Sequence, residues 1–488
     1  MEKLNNSLDK KTIKSGRWVI ASRIIQQLFY LTRTIVLARL LSPNDFGLFG
    51  IALLALTMLD TFSRTGFRQA IIQKKDNTTS YLDTVWTIGL IRGVIIASIL
   101  FLIAPYVAVF FNTEKAVAIL RVIGLAMVFR SLTNIAVVYF EKELKFHKYF
   151  VYEITGSVTD LAVSVSAALI FRSVWALVLG RLAGNFMRCI TSYIIDPYRP
   201  QFSLNMSKAK ELFGFGKWVL GSSILVFLIT QGDDIVVGKI IGATALGFYQ
   251  MAYLLSNLPA TEITYVISQV TFPAYSIVQD NIPRLREAYL RVLKVAAFFS
   301  FLLAALLFVL AQDLTKIFLG TKWLPMVPAM KVLVICGVIR AIGSTTGPVF
   351  QAVGKPRIIT KLTMVKLAVL VVLIFPLTRK FGILGTSFAL LGASLVTNPL
   401  ADYKVIKLTG CALTRFAKLI FTPLIAAVIM YYLLEMFRIY LPIQNIMCLI
   451  VYIFLGFIIY MTVLVLSEKL IGYRIKEELI EIARNITK

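Results

Sequence analysis

Histidine is almost missing from this 488-residue chain, which has one, and cysteine is scarce, with four. His147 sits in a basic stretch, and Cys189, Cys336, Cys411 and Cys448 stand alone, without CxxC spacing or a neighbouring histidine. Isolated cysteines of this kind read as small apolar fillers, and no metal site of imidazole or thiolate ligands is expected. Charge is sparse too, at 16% of residues against about 25% in a soluble globular chain. Acids are the scarcer sign, 25 against 51 Lys and Arg. The sequence has no Gly-rich phosphate loop, and no stretch between apolar runs is long enough for a catalytic domain. No catalytic residue, cofactor or metal is therefore expected, and the chain does not read as an enzyme.

What is present is apolar: 58% hydrophobic residues and a mean hydropathy of +0.81. A chain this apolar cannot hide its surface in one soluble core, so lipid must solvate much of it. The net charge of +26 does not point to nucleic acid, because the basic residues are spread along the chain in short segments between apolar runs. Residues 1–15 are polar and Lys-rich, and the run from Trp18 lacks a small-residue cleavage site, so it reads as a retained membrane helix rather than a leader. About fourteen stretches approach the ~20 residues a membrane helix needs. They lie near 17–38, 46–66, 83–110, 116–139, 150–171, 174–195, 213–238, 246–270, 290–311, 326–350, 357–377, 382–402, 415–436 and 444–466. With a cytoplasmic N-terminus, about 32 basic residues fall inside and about 9 outside, which favours that orientation. The expected product is a multi-pass, all-α protein of a bacterial inner membrane with both termini cytoplasmic. A short mixed-charge helix is expected from Ser467 to Lys488.

The chain also repeats itself. SGRWVIAS (Ser15–Ser22) matches FGKWVLGS (Phe215–Ser222), and TIVLARLLSPNDFGLF (Thr34–Phe49) matches DIVVGKIIGATALGFY (Asp234–Tyr249) at the same offset, with Trp18 over Trp218 and Gly47 over Gly247. Six expected helices separate the copies, so both share one orientation, related by an axis along the membrane normal as in parallel-repeat transporters. The expected division is an N-terminal lobe at 1–200, a C-terminal lobe at 201–404, and two further helices with a tail at 405–488. In such a pair the substrate lies between the lobes.

Charges fall where lipid should be. Arg23, Arg33, Arg92, Arg121, Arg130, Arg181, Arg188, Lys331, Arg340 and Lys366 lie in expected helices, against Asp60, Glu153, Asp160, Asp233, Asp234 and Glu262 inside or at the rim. Each buried charge costs at least about 2.5 kcal/mol, so such residues normally face a bundle interior or a watery cavity. A net cationic cleft follows. Arg23, Gln26, Gln27, Tyr30 and Thr34 keep helical spacing and form one polar stripe. Arg181 and Arg188, seven apart, share a face with Gly184 and Asn185 near them. An arginine suits a diphosphate because its planar fork donates two parallel hydrogen bonds. Any single one of these arginines could instead snorkel to an interface or pair with a helix acid. Candidate substrate contacts are Arg23, Gln26, Gln27, Tyr30, Arg64, Arg92, Arg181, Arg188 and Arg340. Candidate coupling residues are Asp60, Asp233 and Asp234. For Asp60 the plainer reading is an i,i+4 ion pair with Arg64; for Asp233 and Asp234, whose functional role would be cation coupling or pairing with a cleft arginine, it is a helix rim facing water.

The opening SGRWVIASRIIQQLFYLTRTIVLARLLSPNDFGLFGIA, together with GFRQAIIQKKD, QGDDIVVGKIIGATALGFYQMA and VTFPAYSIVQD, resembles bacterial polysaccharide-export flippases of the O-antigen, colanic-acid and teichuronic-acid type. The resemblance covers residues 15–290; the later helices fit in number and length but carry no sharp motif. It implies a V-shaped pair of six-helix lobes alternating between inward and outward openings. It further implies a polyprenyl-diphosphate-linked oligosaccharide as substrate, with membrane lipid and other polysaccharide-assembly proteins as partners and no nucleic acid. In that superfamily, cationic residues of the first lobe bind diphosphate; Arg23, Arg17 and Arg64 are the positions that match such a role. Two rivals make opposite demands. A multidrug cation antiporter calls for an acidic cleft, and a membrane polysaccharide polymerase or glycosyltransferase calls for a long external loop with acidic or histidine catalytic residues.

Overall fold

The structure, a computed structural model, describes residues 2–64, 66–67, 70–71, 79–143 and 145–471. Lys74, Lys75 and most of the tail expected as a helix after Ser467 lie outside the described residues, as do the Arg17 and Trp218 side chains. Among the described residues every regular element is helical. The chain forms two compact units, Met1–Gly247 and Phe248–Lys488. Eight helices among the described residues are long and apolar enough to cross a membrane.

The first unit holds α1 (Glu2–Leu40), α2 (Pro43–Phe62), α3 (Thr79–Phe110), α4 (Ala116–Ile123), α5 (Leu125–Leu132), α6 (Val137–Lys142), α7 (Phe146–Phe171), α8 (Trp175–Ile195) and α9 (Met206–Ile240). The start of α10 (Ala243–Ile277) belongs to it as well. The tight loop LSPNDFG works because Ser42 and Asp45 form a capping box: Asp45 N donates to Ser42 Oγ (3.3 Å) and Ser42 N donates to Asp45 Oδ2 (3.0 Å). Pro43 occupies the first helical turn, where a missing N–H costs nothing. The other Asp45 oxygen accepts from Val174 N (3.0 Å), which ties the start of α2 to the start of α8.

The stretch expected as one helix at 116–139 is instead α4, α5 and α6. Thr133 leaves the helical region (ψ 138), and Asn134 then fixes the break. Its backbone N–H donates to Ser192 Oγ (2.9 Å) rather than to a helix carbonyl, and its side chain donates to Tyr198 O (2.7 Å). Asn is favoured at such a turn because its side chain competes with the helix for backbone partners.

The second unit holds the rest of α10, then α11 (Ile282–Leu314), a π turn (Thr315–Leu319), a 3-10 turn (Thr321–Met326), α12 (Val327–Gly343), α13 (Thr346–Ala352), α14 (Arg357–Thr409), α15 (Leu413–Tyr440) and α16 (Ile446–Ile471). Its core runs along α11, where Leu293, Ala297 and Phe298 are buried against Met430 of α15 and Tyr460 of α16. Tyr460 OH donates to Phe298 O (3.0 Å), so the phenol is satisfied without reaching water. The expected span 326–350 breaks into α12 and α13 where Ser344, Thr345 and Thr346 donate to the carbonyls three residues back. Conversely, 357–377 and 382–402 run into one another as α14, whose two arms fold back at Gly382 (φ 61°, ψ −140°). The arms are antiparallel: the Thr378 and Thr386 hydroxyls meet at 2.8 Å, and farther from the turn Leu373 lies against Gly392. Glycine is needed at Gly382 because an L side chain is strained at that φ and ψ.

Candidate functional site

In the first unit α7 and α8 approach closely because glycine leaves room: a Cβ on Gly184 would come within 2.9 Å of the Gly156 carbonyl oxygen. That approach brings the polar faces of both helices together. Arg188 Nε lies 3.2 Å from Glu153 Oε2, and its Nη2 donates to Ser157 Oγ (3.3 Å). One turn and more along α7, Arg33 of α1 meets Asp160 at 3.0 Å and donates to Ser164 Oγ (3.1 Å), while Ser164 Oγ donates to the same carboxylate (3.0 Å). Arg33 keeps one donor, Nη2, buried without an acceptor. Arg181 is exposed and interacts electrostatically with Asp160, Arg188, Arg33 and Arg130. Tyr30 lies in the fields of Arg33, Arg181 and Asp160.

A second cluster forms around Asp60, which is only 6% exposed. Arg92 of α3 donates through Nη2 to the Asp60 carboxylate and to Asp60 O (2.9 Å), and through Nε to Ser63 Oγ (3.1 Å). Arg64 Nη2 and Arg130 Nη1 both approach Asp60 Oδ2, at 3.6 and 3.4 Å. Phe129 of α5 packs edge-on against Phe186 of α8, with ring centroids 5.2 Å apart, which sets this cluster beside the first. Arg33, Arg64, Arg92, Arg130, Arg181 and Arg188 thus face three carboxylates, Asp60, Glu153 and Asp160. The seam is net cationic, and each acid in it is already engaged.

The structure therefore brings Tyr30, Arg181 and Arg188 together, and Asp60, Arg64 and Arg92 together. On the α1 stripe Arg23, Gln26 and Gln27 are half-buried; Gln26 Nε2 donates to Ser22 Oγ (2.7 Å), and Thr34 Oγ1 to Tyr30 O (2.8 Å). Asp233 is buried and Asp234 half-buried on α9. Arg340 belongs to the second unit, where its guanidinium donates to Tyr253 OH (3.1 Å) and Thr261 Oγ1 (2.9 Å) and, among the described residues, meets no carboxylate. Arg130, Arg33, Glu153 and Asp160 are the seam members that the sequence offered as in-helix charges but not as substrate contacts. Spacing along one helix could not pair them, because their partners across the seam lie 35 to 131 residues away. The second unit also holds an apolar cavity of about 560 Å³, lined among others by Phe308, Ile339, Asn398, Asp402 and Tyr431. Asp402 Oδ1 is buried there without a hydrogen-bond partner.

Long apolar helices with an arginine seam among them define a multi-pass α-helical membrane protein. Its fold is that of a solved membrane transporter: 94% of the chain superposes on the whole of the lipid II flippase MurJ in an inward closed conformation, with a TM-score of 0.76 and 15% identity. The chain belongs to the family described as polysaccharide biosynthesis protein, whose profile matches residues 36–328. It is similar to the lipopolysaccharide biosynthesis protein WzxC of Escherichia coli (strain K12), at 25% identity over 82% of each chain. It is also similar to the teichuronic acid biosynthesis protein TuaB of Bacillus subtilis (strain 168), at 25% identity over 72% of this chain and 73% of that one.

Proposed function

We propose that this protein carries a polyprenyl-diphosphate-linked oligosaccharide from the cytoplasmic to the outer leaflet of a bacterial inner membrane by alternating access, with no covalent step. The observation that carries the reading is the charge of the seam: six guanidiniums against three carboxylates, with Arg33 Nη2 left without an acceptor. Within a membrane span such an excess is tolerated where an anion and water reach it. A diphosphate supplies that anion, and its oxygens match the guanidinium fork. The relatives whose names refer to lipopolysaccharide and teichuronic acid biosynthesis, and the lipid II flippase fold, support the same substrate class.

In this reading the chain has fourteen spans, cytoplasmic termini and two repeated six-helix lobes, with Arg23 and its stripe facing the space between them. The sugar and diphosphate enter that space while the polyprenyl chain stays in lipid. The two states must bind the head group differently for the cycle to run. A membrane potential positive outside favours outward movement of the anion, directly or through cation antiport at Asp233 or Asp234. A cation antiporter would reverse the sign of the seam, which favours the anion carrier.

The test is accumulation of a labelled lipid-linked oligosaccharide in the outer leaflet of vesicles containing the purified protein. Translocation at the rate of protein-free vesicles would end the proposal.

A further inference from the structure

Residues 196–205 join α8 to α9 without a helix, and both ends are extended: Asp196 at φ −123°, ψ 130° and Asn205 at φ −97°, ψ 101°. The segment is pinned along the start of α3. Asp83 Oδ1 accepts from Gln201 N (2.9 Å) and from Tyr198 OH (2.6 Å), and Thr87 Oγ1 accepts from Ser203 N (3.0 Å). The fit is geometric. Four helical residues, Asp83 to Thr87, rise about 6 Å, and two extended residues, Gln201 to Ser203, advance about 6.6 Å. Between the two anchors the Phe202 ring meets Trp86 edge-on, with centroids 5.2 Å apart. Beyond them Lys208 Nζ donates to Ser80 O (2.7 Å), and Tyr81 OH donates to Glu211 Oε2 (2.9 Å).

The strap has two unlike faces. Successive side chains of an extended chain point to opposite sides. Gln201, Ser203 and Asn205 alternate with Phe202, Leu204 and, at the first residue of α9, Met206. The three apolar side chains are 77%, 55% and 70% exposed, a row that water disfavours. Its level in the protein accounts for it. Asp83 and Thr87 lie in the first turns of the apolar span Ser80–Phe110, where hydrocarbon gives way to headgroups. Tyr81 and Tyr198 bond there, and Arg199 lies 5.6 Å from the Tyr193 ring; phenols concentrate at that boundary. Arg199 donates to Asp196 O and Tyr198 O, as Lys208 does to Ser80 O, and among the described residues neither forms an ion pair. Asp83 is turned onto the strap's own donors.

We infer that this strap is an interfacial anchor whose register α3 sets, and that its partner is the lipid surface. Phe202, Leu204 and Met206 insert at the boundary between headgroups and acyl chains, and Arg199 and Lys208 reach up to anionic headgroups. The join between the two copies of the sequence repeat is thereby held at the membrane surface. In the proposed orientation that surface is the cytoplasmic leaflet, whose anionic lipids suit the two cations.

The experiment uses the full chain, with Cys189, Cys336, Cys411 and Cys448 replaced by alanine, in vesicles of phosphatidylethanolamine and phosphatidylglycerol. A nitroxide is attached in turn at Gln201→Cys, Phe202→Cys, Ser203→Cys and Leu204→Cys, in protein that elutes as a single species. Its collisions with oxygen, which concentrates in lipid, are compared with its collisions with a water-soluble nickel chelate. Oxygen should dominate at positions 202 and 204 and nickel at 201 and 203, a period of two. Asp83→Ala should erase that period, whereas Asp83→Asn, which keeps Oδ1 as an acceptor, should preserve it. Nickel dominating at all four positions would leave the apolar row in water and overturn the inference. Protection at 202 and 204 that comes with dipolar broadening, both vanishing as the protein is diluted in lipid, would make the occupant a second copy and overturn it too. A period that survives Asp83→Ala would overturn the register set by α3.

Discussion

Gly47 and Gly247, 200 residues apart, make reciprocal contacts: a side chain on Gly47 would strike the Ala243 carbonyl, and one on Gly247 would strike the Pro43 carbonyl and come within 3.0 Å of Gly47 N. Ala243 is itself 200 residues beyond Pro43, and Thr244 Oγ1 donates to Asn44 Oδ1 (3.2 Å) across the same offset. Residue i touching j′ while j touches i′ is the signature of a local two-fold, and it falls where the two copies of the sequence repeat align.

Valine at Gly47 should therefore push the starts of α2 and α10 apart. Overpacking of this kind costs about 1–3 kcal/mol. Gly247→Val should behave alike, and the double variant should lose less than the two single losses together, since the first displacement already relieves the second. Thermal unfolding of the purified variants, followed by loss of the monodisperse peak, measures all three. A fully additive double variant would mean that the two glycines do not share one contact.

The Arg188–Glu153 pair ties α8 to α7, and the two side chains are 18% and 20% exposed. Arg188→Leu leaves Glu153 without its cation and should cost about 2–3 kcal/mol, below the range for a fully buried pair because water still reaches both groups. Adding Glu153→Leu should restore most of that stability and none of the transport. Recovery of transport in the double variant would show that Arg188 serves only to neutralise Glu153.

Export should depend on Arg23. Arg23→Ala should abolish it in cells lacking a redundant carrier while membrane insertion stays intact, as judged by the amount of protein in the membrane fraction. Arg23→Lys should rescue only in part, because an ammonium keeps the charge and loses the bidentate fork. Normal export by Arg23→Ala would remove Arg23 from the site.

Topology is open to direct measurement. Reporter fusions at Asp45 and Glu114 should read external, and one at Lys145 internal. A cytoplasmic signal at Asp45 would break the proposed orientation, and with it the assignment of which end of the seam faces the cytoplasm.

The helices were legible because lipid sets their length and demands apolar side chains along it. Most of each expected apolar stretch lies in helix among the described residues, although 46–66 runs past the end of α2 at Phe62 and 116–139 and 326–350 are broken. The breaks at Thr133 and at Ser344–Thr345 were not, since hydropathy does not register a hydroxyl or amide that takes a helix's own carbonyl. At the site, the i,i+4 pair of Asp60 and Arg64 could be read from spacing and is present at 3.6 Å. That Arg92 and Arg130 converge on the same carboxylate could not, because tertiary packing alone joins α2, α3 and α5. Arg33 read as a residue near a helix end, where snorkelling would suffice; its burial against Asp160 comes from α1 lying along α7.

The arginine seam has a consequence for the energy economy of the cell. A carrier for a sugar head group must admit water deep into the bilayer, and a wet path is ordinarily a leak for protons and small cations. Guanidiniums do not give up their protons at any physiological pH, and the seam's carboxylates are held in ion pairs with them, so the arginines of the seam relay no proton. Its positive field also raises a barrier to cations, as fixed positive charges do in pores that pass water but not protons. A passage lined in this way can stay open long enough for a bulky anion to cross without discharging the ion gradients of the membrane that holds it.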